Sequence, residues 1–280
     1  MEPSFLQTLW FILYGVLIAV YAVLDGFDLG VGVVSLFKKK SSDRKILKQA
    51  IGPVWDGNEV WLLTGGGALF AAFPVVYATV FSSFYLAFML LLFALIGRAV
   101  SLEFSGKVDS PGWEKIWDRC FGINSLLPCI LFGVAMGNIM KGIPLNQAGI
   151  YTGTFLGLLN PYSLVMGFLT LSMFITHGSL YMTLKTDGKL ADSMRVWATY
   201  SWIAWIILYG LATVLSFFIT PHLFEKTPLS SLKYLLLFVL LSILILIPIM
   251  IHNKKNGLAF IASSLSIVCQ VAQVGLSLFP

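Results

Sequence analysis

Two pairs of carboxylates, and elsewhere one guanidinium with a fifth carboxylate, fall inside apolar runs of this sequence. Asp25-Gly26-Phe27-Asp28-Leu29-Gly30 and Trp55-Asp56-Gly57-Asn58-Glu59-Val60-Trp61 each set two carboxylates three residues apart, which puts each pair on one face of a helix. A third run carries Arg98 and Glu103, and a later one Thr176-His177-Gly178. Ionisable groups in apolar segments are costly, so each is a candidate for function. Removal from water disfavours the ionised carboxylate, and such a group can then take up and release protons. One Arg and one His cannot neutralise all four carboxylates by ion pairing. Two readings follow. In one, Arg98 pairs with a carboxylate and the remainder bond across helices. In the other, Asp56, with Asp25 or Glu59 and also Asp28, lies on a proton path, while Arg98, Glu103, Asn58 and His177 are structural or ion-pair residues. The second is favoured for Asp56.

These residues must be positioned by helices in lipid. Hydrophobic residues make up 58% of the 280 and charged residues 11%, with a mean hydropathy of +0.88, far from the roughly 25% charge of a soluble domain. The expected fold is all-α, a polytopic bundle of about eight spans, each near the 20 residues needed to cross hydrocarbon. The spans are expected at Phe5–Phe37, Gln49–Phe73, Pro74–Phe104, Trp113–Met140, Pro161–Leu184, Leu190–Thr220, Leu232–Ile251 and Gly257–Phe279. The chain then reads as one integral membrane domain over 1–280, with a first bundle over about 1–141 and a second over about 161–280. The polar, Gly-rich stretch at about 142–160 between them reads as an extramembrane loop with a short interfacial helix. Met1-Glu2-Pro3-Ser4 lacks the basic start of a cleavable signal, so the first apolar stretch is expected to stay as a span.

Fifteen of the 18 Lys and Arg residues fall on one side of this arrangement, led by Lys38, Lys39, Lys40, Arg44, Lys45 and Lys48; Lys141, Lys226 and Lys233 fall on the other. The positive-inside rule then places the N-terminus outside. At 1.5 Å per residue, Asp28 lies about 15 Å from Lys38 and Glu59 about 16 Å from Lys48. The polar groups should therefore share a layer in the inner half of the membrane, with Asp25 a turn deeper.

The remaining motifs point to packing. Thr64-Gly65-Gly66-Gly67 lacks the Lys-Ser/Thr of a phosphate loop and reads as a small-residue helix contact. Trp55, Trp61, Trp113, Trp117, Trp197, Trp202 and Trp205 read as interfacial anchors. Cys120, Cys129 and Cys269 are isolated and read as buried packing residues. No catalytic nucleophile, metal-ligand spacing or nucleotide loop is found, and the net charge of +5 is a topology signal, with no nucleic-acid partner expected. Only His177 lies within a span, without the second His of a membrane b-type haem site, so no cofactor held by this chain's own ligands is expected.

At these positions the sequence resembles subunit II of cytochrome bd-type quinol oxidases over nearly its whole length. The carrying motifs are Leu24–Gly32, Pro53–Trp61, Thr64–Pro74 with Tyr77-Ala78, Arg98, Gly133–Asn138, Leu159–Tyr162 and Ile175–Gly178. The resemblance implies two four-helix bundles, with a ninth span in the family beyond the position of Phe279-Pro280. It implies a haem-free subunit of an enzyme that oxidises quinol and reduces dioxygen to water with protons from the cytoplasm. Haems b and d and the quinol site would lie in a partner, subunit I, with a small single-span accessory subunit as a further partner. Asp56 matches the family's proton-path aspartate at the subunit interface, and Asp25 and Asp28 its acidic pair. Structural lipid or quinone is a further ligand so implied, and the bacterial cytoplasmic (inner) membrane the location. The rival reading is a stand-alone ion-coupled transporter or channel, in which the same carboxylates would couple to ion movement; another is a scaffold whose buried charges only fix helix register.

Overall fold

A computed structural model describes residues 4–225 and 229–279. Lys226, counted above for topology, and Pro280 lie outside the described residues. Among the described residues ten α-helices carry the fold: α1 (Phe5–Ser35), α2 (Ser41–Ile51), α3 (Trp55–Ala72), α4 (Pro74–Ser83), α5 (Tyr85–Phe104), α6 (Pro111–Lys141), α7 (Pro161–Lys185), α8 (Gly188–Ile219), α9 (Ser230–His252) and α10 (Asn256–Leu278). Among the described residues seven helices are long and apolar enough to cross a membrane: α1 and α5 to α10. No β-strand longer than the isolated Leu145–Tyr151 bridge occurs among those residues.

Three expectations are corrected at the first bundle. The second span begins at Trp55 rather than Gln49, because Gly52-Pro53 separates it from the surface helix α2; a proline disfavours helix in the residue before it. α3 itself stands outside the set of seven, since Asp56, Asn58 and Glu59 make its first turns polar, although its 18 residues reach about 27 Å. The third span is two helices, α4 and α5. They break at Phe84 (φ −100°, ψ 19°), just after Ser82, whose hydroxyl bonds back to the Thr79 carbonyl.

α7 begins where Pro161 suggests, with Asn160 as its N-cap accepting from the Ser163 amide at 3.1 Å. It is the most enclosed membrane helix and packs on α1, α6, α8 and α10. Lipid supplies no hydrophobic drive between helices, so close backbone approach must come from small residues. Gly30 and Gly178 provide it at the α1–α7 crossing. A Cβ on Gly30 would overlap the Phe174 carbonyl, and one on Gly178 would come within 2.7 Å of the Phe27 carbonyl oxygen. The Thr64–Gly67 run behaves differently: Gly65 faces Ile18 on α1, whereas Gly66 and Gly67 face open space.

Two further expectations change. Trp205 is no interfacial anchor; it is fully buried in the core of the second bundle beside Leu240 and Leu244, because it falls midway along the 32-residue α8. Cys129 and Cys269 are buried, but Cys120 is only half-buried. At the lysine-rich end Asp118 on α6 clamps α2, accepting from Arg44 Nε at 2.5 Å and Lys48 Nζ at 2.6 Å. Lys38 there donates to Ser193 at 2.7 Å, and its burial pushes its ammonium below the usual lysine range, against the pull of Asp43. The 142–160 segment contains one short 3-10 turn, Leu156–Leu158.

Candidate functional site

The acidic motif of α1, the polar first turns of α3 and the single arginine of α5 converge. Arg98 uses one nitrogen, Nη2, to donate to Asp25 Oδ1 and to Glu59 Oε1, each at 2.6 Å. Three helices are thereby tied at one guanidinium. Tyr21, one turn before Asp25, donates its hydroxyl to Asp25 Oδ2 at 2.8 Å. Asn58 Nδ2 donates to Asp28 Oδ2 at 2.7 Å and to the Leu24 carbonyl at 3.2 Å. Asp25, Asp28 and Arg98 are wholly buried, while the Glu59 side chain remains 22% exposed.

The charges do not balance. Of three carboxyl groups in the cluster, Asp25 and Glu59 share the one guanidinium, and Asp28 has an amide for its partner and no cation among the described residues. Uncompensated charge in such surroundings is expensive, so a proton held within the cluster is the inexpensive state. The polar capacity is also not exhausted: Asp28 Oδ1, Arg98 Nε and Arg98 Nη1 are buried without a hydrogen-bond partner among the described residues. This arrangement can store a proton on one carboxyl and exchange it at the Glu59 side, where the cluster reaches the protein surface.

The other candidates are distributed around this centre. Asp56 lies one turn before Glu59 in the first turn of α3 and is exposed. Glu103 is exposed at the far end of α5, in a hollow it shares with Lys48 and Trp55, and enters no ion pair among the described residues. His177 is wholly buried, with Nε2 donating to the Val23 carbonyl of α1 at 3.0 Å and Nδ1 against Ser263 Oγ of α10 at 2.7 Å. Its ring stacks on Phe260 at 4.7 Å between centroids. It thus joins α1, α7 and α10 two residues from Asp25. Sequence reasoning missed Tyr21, whose spacing of four from Asp25 was the available signal, and Asp118, whose location at the lysine-rich end hid its role.

The comparisons with known proteins agree on one family. The family described as cytochrome bd terminal oxidase subunit II matches residues 6–280. A probable cytochrome oxidase subunit 2 from Haemophilus influenzae is 41% identical over 218 residues, covering 76% of this chain and 58% of that protein. Subunit 2 of the cytochrome bd-I ubiquinol oxidase from Escherichia coli K12 is 33% identical, over 98% of this chain and 81% of its own length. The cytochrome bd ubiquinol oxidase subunit 2 of Bacillus subtilis is 34% identical over the same shares. Among solved structures, bd oxidase from Geobacillus thermodenitrificans superposes with a TM-score of 0.82 at 15% identity, covering 99% of this chain and 86% of that one; that likeness speaks to the fold. The chain therefore belongs to the subunit II family of cytochrome bd terminal oxidases.

Proposed function

We propose that this chain is the haem-free subunit II of a quinol-oxidising terminal oxidase in a bacterial cytoplasmic membrane, and that its α1–α3–α5 cluster serves a proton path from the inner face. In this reading a partner, subunit I, carries the haems and the quinol site and covers the outer face of α3. Protons enter at Asp56, pass one turn along α3 to Glu59, and equilibrate with Asp25 and Asp28 under the field of Arg98.

One observation carries the proposal. Glu59 is bonded to a buried arginine on one side and 22% exposed on the other, on a helix amid apolar spans. A carboxylate facing hydrocarbon is costly, so that side needs a polar neighbour or water, as a subunit interface with a proton route supplies. The same α3 face leaves Val60 and Leu63 exposed and Gly66 and Gly67 without neighbours, room for a close-packed partner helix. A haem-free role is supported by His177, both of whose ring nitrogens are already engaged.

The test is to purify the tagged chain in mild detergent from its native membrane and record a reduced-minus-oxidised visible spectrum. Haem bands from a co-purifying partner are expected. A clean single chain without haem signal, from cells that contain the oxidase, would overturn the reading in favour of a stand-alone transporter.

A further inference from the structure

Two hollows at the lysine-rich end share Glu114 of α6 as a wall, where its Oε1 accepts from Ser41 Oγ of α2 at 2.5 Å. Both are lined mainly by polar side chains, but their charges differ. The hollow beside Trp55 is balanced, with Lys45, Lys48 and Lys107 against Glu103, Asp109 and Glu114. The other is a cavity of about 360 Å³ between the end of α1 and the starts of α2 and α6, and it carries five cations against two carboxylates. A topological excess of Lys and Arg at this face would act on both hollows alike. The imbalance is therefore local to the second.

Most polar groups of the second cavity are already committed. Asp118 accepts from Arg44 and Lys48, and Glu114 from Ser41. Arg44 also gives Nη1 to the carbonyls of Lys38 and Lys39, at 2.9 and 3.0 Å, and Lys38 is turned to Ser193. Lys39, Lys115 and Arg119 remain, exposed and in no ion pair among the described residues. Lys115 and Arg119 are four apart on α6, a spacing at which like charges repel. Ser41 and Pro111, the first residues of α2 and α6, also line the cavity, and no side chain caps either helix. The positive ends of both helices add to the three cations. A cleft lined by one sign of charge concentrates counter-ions.

The lining also limits the ligand. The volume lies within the roughly 300–1,000 Å³ of small-molecule sites. A single phosphate group brings about two negative charges, fewer than the three free cations, whereas a chain of two or three phosphates matches them. Leu36 and Pro111 are the only apolar side chains in the lining among the described residues, too little for an acyl chain, and no aromatic ring is there to stack a base. We propose that this cavity binds one compact, soluble oligophosphate anion through Lys39, Lys115 and Arg119. Arg44 fixes the turn that carries Lys39, and Asp118 fixes Arg44. The site is separate from the Arg98 cluster and does not depend on the proton-path reading.

The test is isothermal titration calorimetry of the complex purified in mild detergent, with sodium tripolyphosphate in low-salt, metal-free buffer. One saturable site per chain is expected, weakening as ionic strength rises. Lys115→Gln and Arg119→Gln should each weaken binding about fivefold, the worth of one surface cation against an anionic group, and Lys115→Arg should retain it. Lys107→Gln removes the same charge from the balanced hollow and should leave the affinity near wild type. Orthophosphate should bind more weakly than tripolyphosphate, and ATP no more tightly. These side chains are exposed, so each variant should keep its melting temperature. No saturable binding would overturn the proposal, as would an equal loss in Lys107→Gln and Arg119→Gln, which would reduce the site to a diffuse field. So would orthophosphate binding as tightly as tripolyphosphate, ATP binding more tightly, or displacement of tripolyphosphate by phosphatidylglycerol, which would make the occupant a lipid headgroup.

Discussion

Asp28 receives its hydrogen bond from Asn58, at 2.7 Å, and ion-pairs with no cation among the described residues. Its neighbour Asp25, one turn away on the same helix face, takes both Arg98 and Tyr21. Two carboxylates that look alike in sequence thus occupy different electrostatic settings. Asn58→Leu should strip Asp28 of its partner and lower stability by about 1–3 kcal/mol, the cost of a buried group left unsatisfied. Asp28→Asn, which keeps a polar group beside Asn58, should cost less. Thermal unfolding of the detergent-purified protein checks the order.

Arg98 is the point at which the three helices meet, and its removal should be the most damaging change in the cluster. Arg98→Leu leaves Asp25 wholly buried without a cation, a loss of about 3–5 kcal/mol. The triple variant Arg98→Leu, Asp25→Asn, Glu59→Gln removes the unpaired charges together and should recover much of that loss. Yield of folded protein and melting temperature distinguish the two; equal damage would mean that the charges are not coupled.

Gly30 and Gly67 sit on helices of the same bundle but meet different surroundings. Gly30→Ala forces α1 away from the Phe174 carbonyl of α7, and overpacking of this kind costs about 1–3 kcal/mol. At Gly67 an added Cβ has no atom of the described residues within 4 Å and the position is exposed, so Gly67→Leu should leave the melting temperature of the isolated chain unchanged. If the outer face of α3 receives subunit I, Gly67→Leu should nevertheless reduce the amount of haem-bearing partner recovered with the tagged chain.

His177→Phe preserves the stack on Phe260 but removes the links to Val23 and Ser263. Stability should fall by about 1–3 kcal/mol, as for other severed buried hydrogen bonds. The haem content per assembled complex should not change, because the proposed function gives this chain no haem. Loss of one haem band with assembly intact would contradict that assignment.

Much of this arrangement was legible in the residues. The i, i+3 carboxylate pairs and the isolated Arg98 announced a polar cluster, and Asn160-Pro161 marked the start of α7. What was not legible depended on helix rotation and contact. Arg98 could have paired with any of four carboxylates by depth alone; only the rotation of α1 and α3 selects Asp25 and Glu59 and leaves Asp56 and Glu103 exposed. The break at Phe84 has no proline or glycine to signal it. Gly65, Gly66 and Gly67 are identical in type, yet a 100° turn per residue sends one to α1 and two outward. Trp205 is buried because α8 is long enough to carry it away from the interface, which residue type could not reveal.

In the proposed function the α3 carboxylates carry protons to a haem-bearing partner. The measurement that bears on this is oxygen uptake by the purified complex carrying Asp56→Asn, with quinol in excess and haem content matched to wild type. Loss of a proton-transferring group typically costs about 10²–10⁴-fold, so a fall of at least about tenfold with unchanged haem spectrum is expected. Uptake equal to wild type at matched haem would contradict the proton path and leave the cluster as a structural tie between helices.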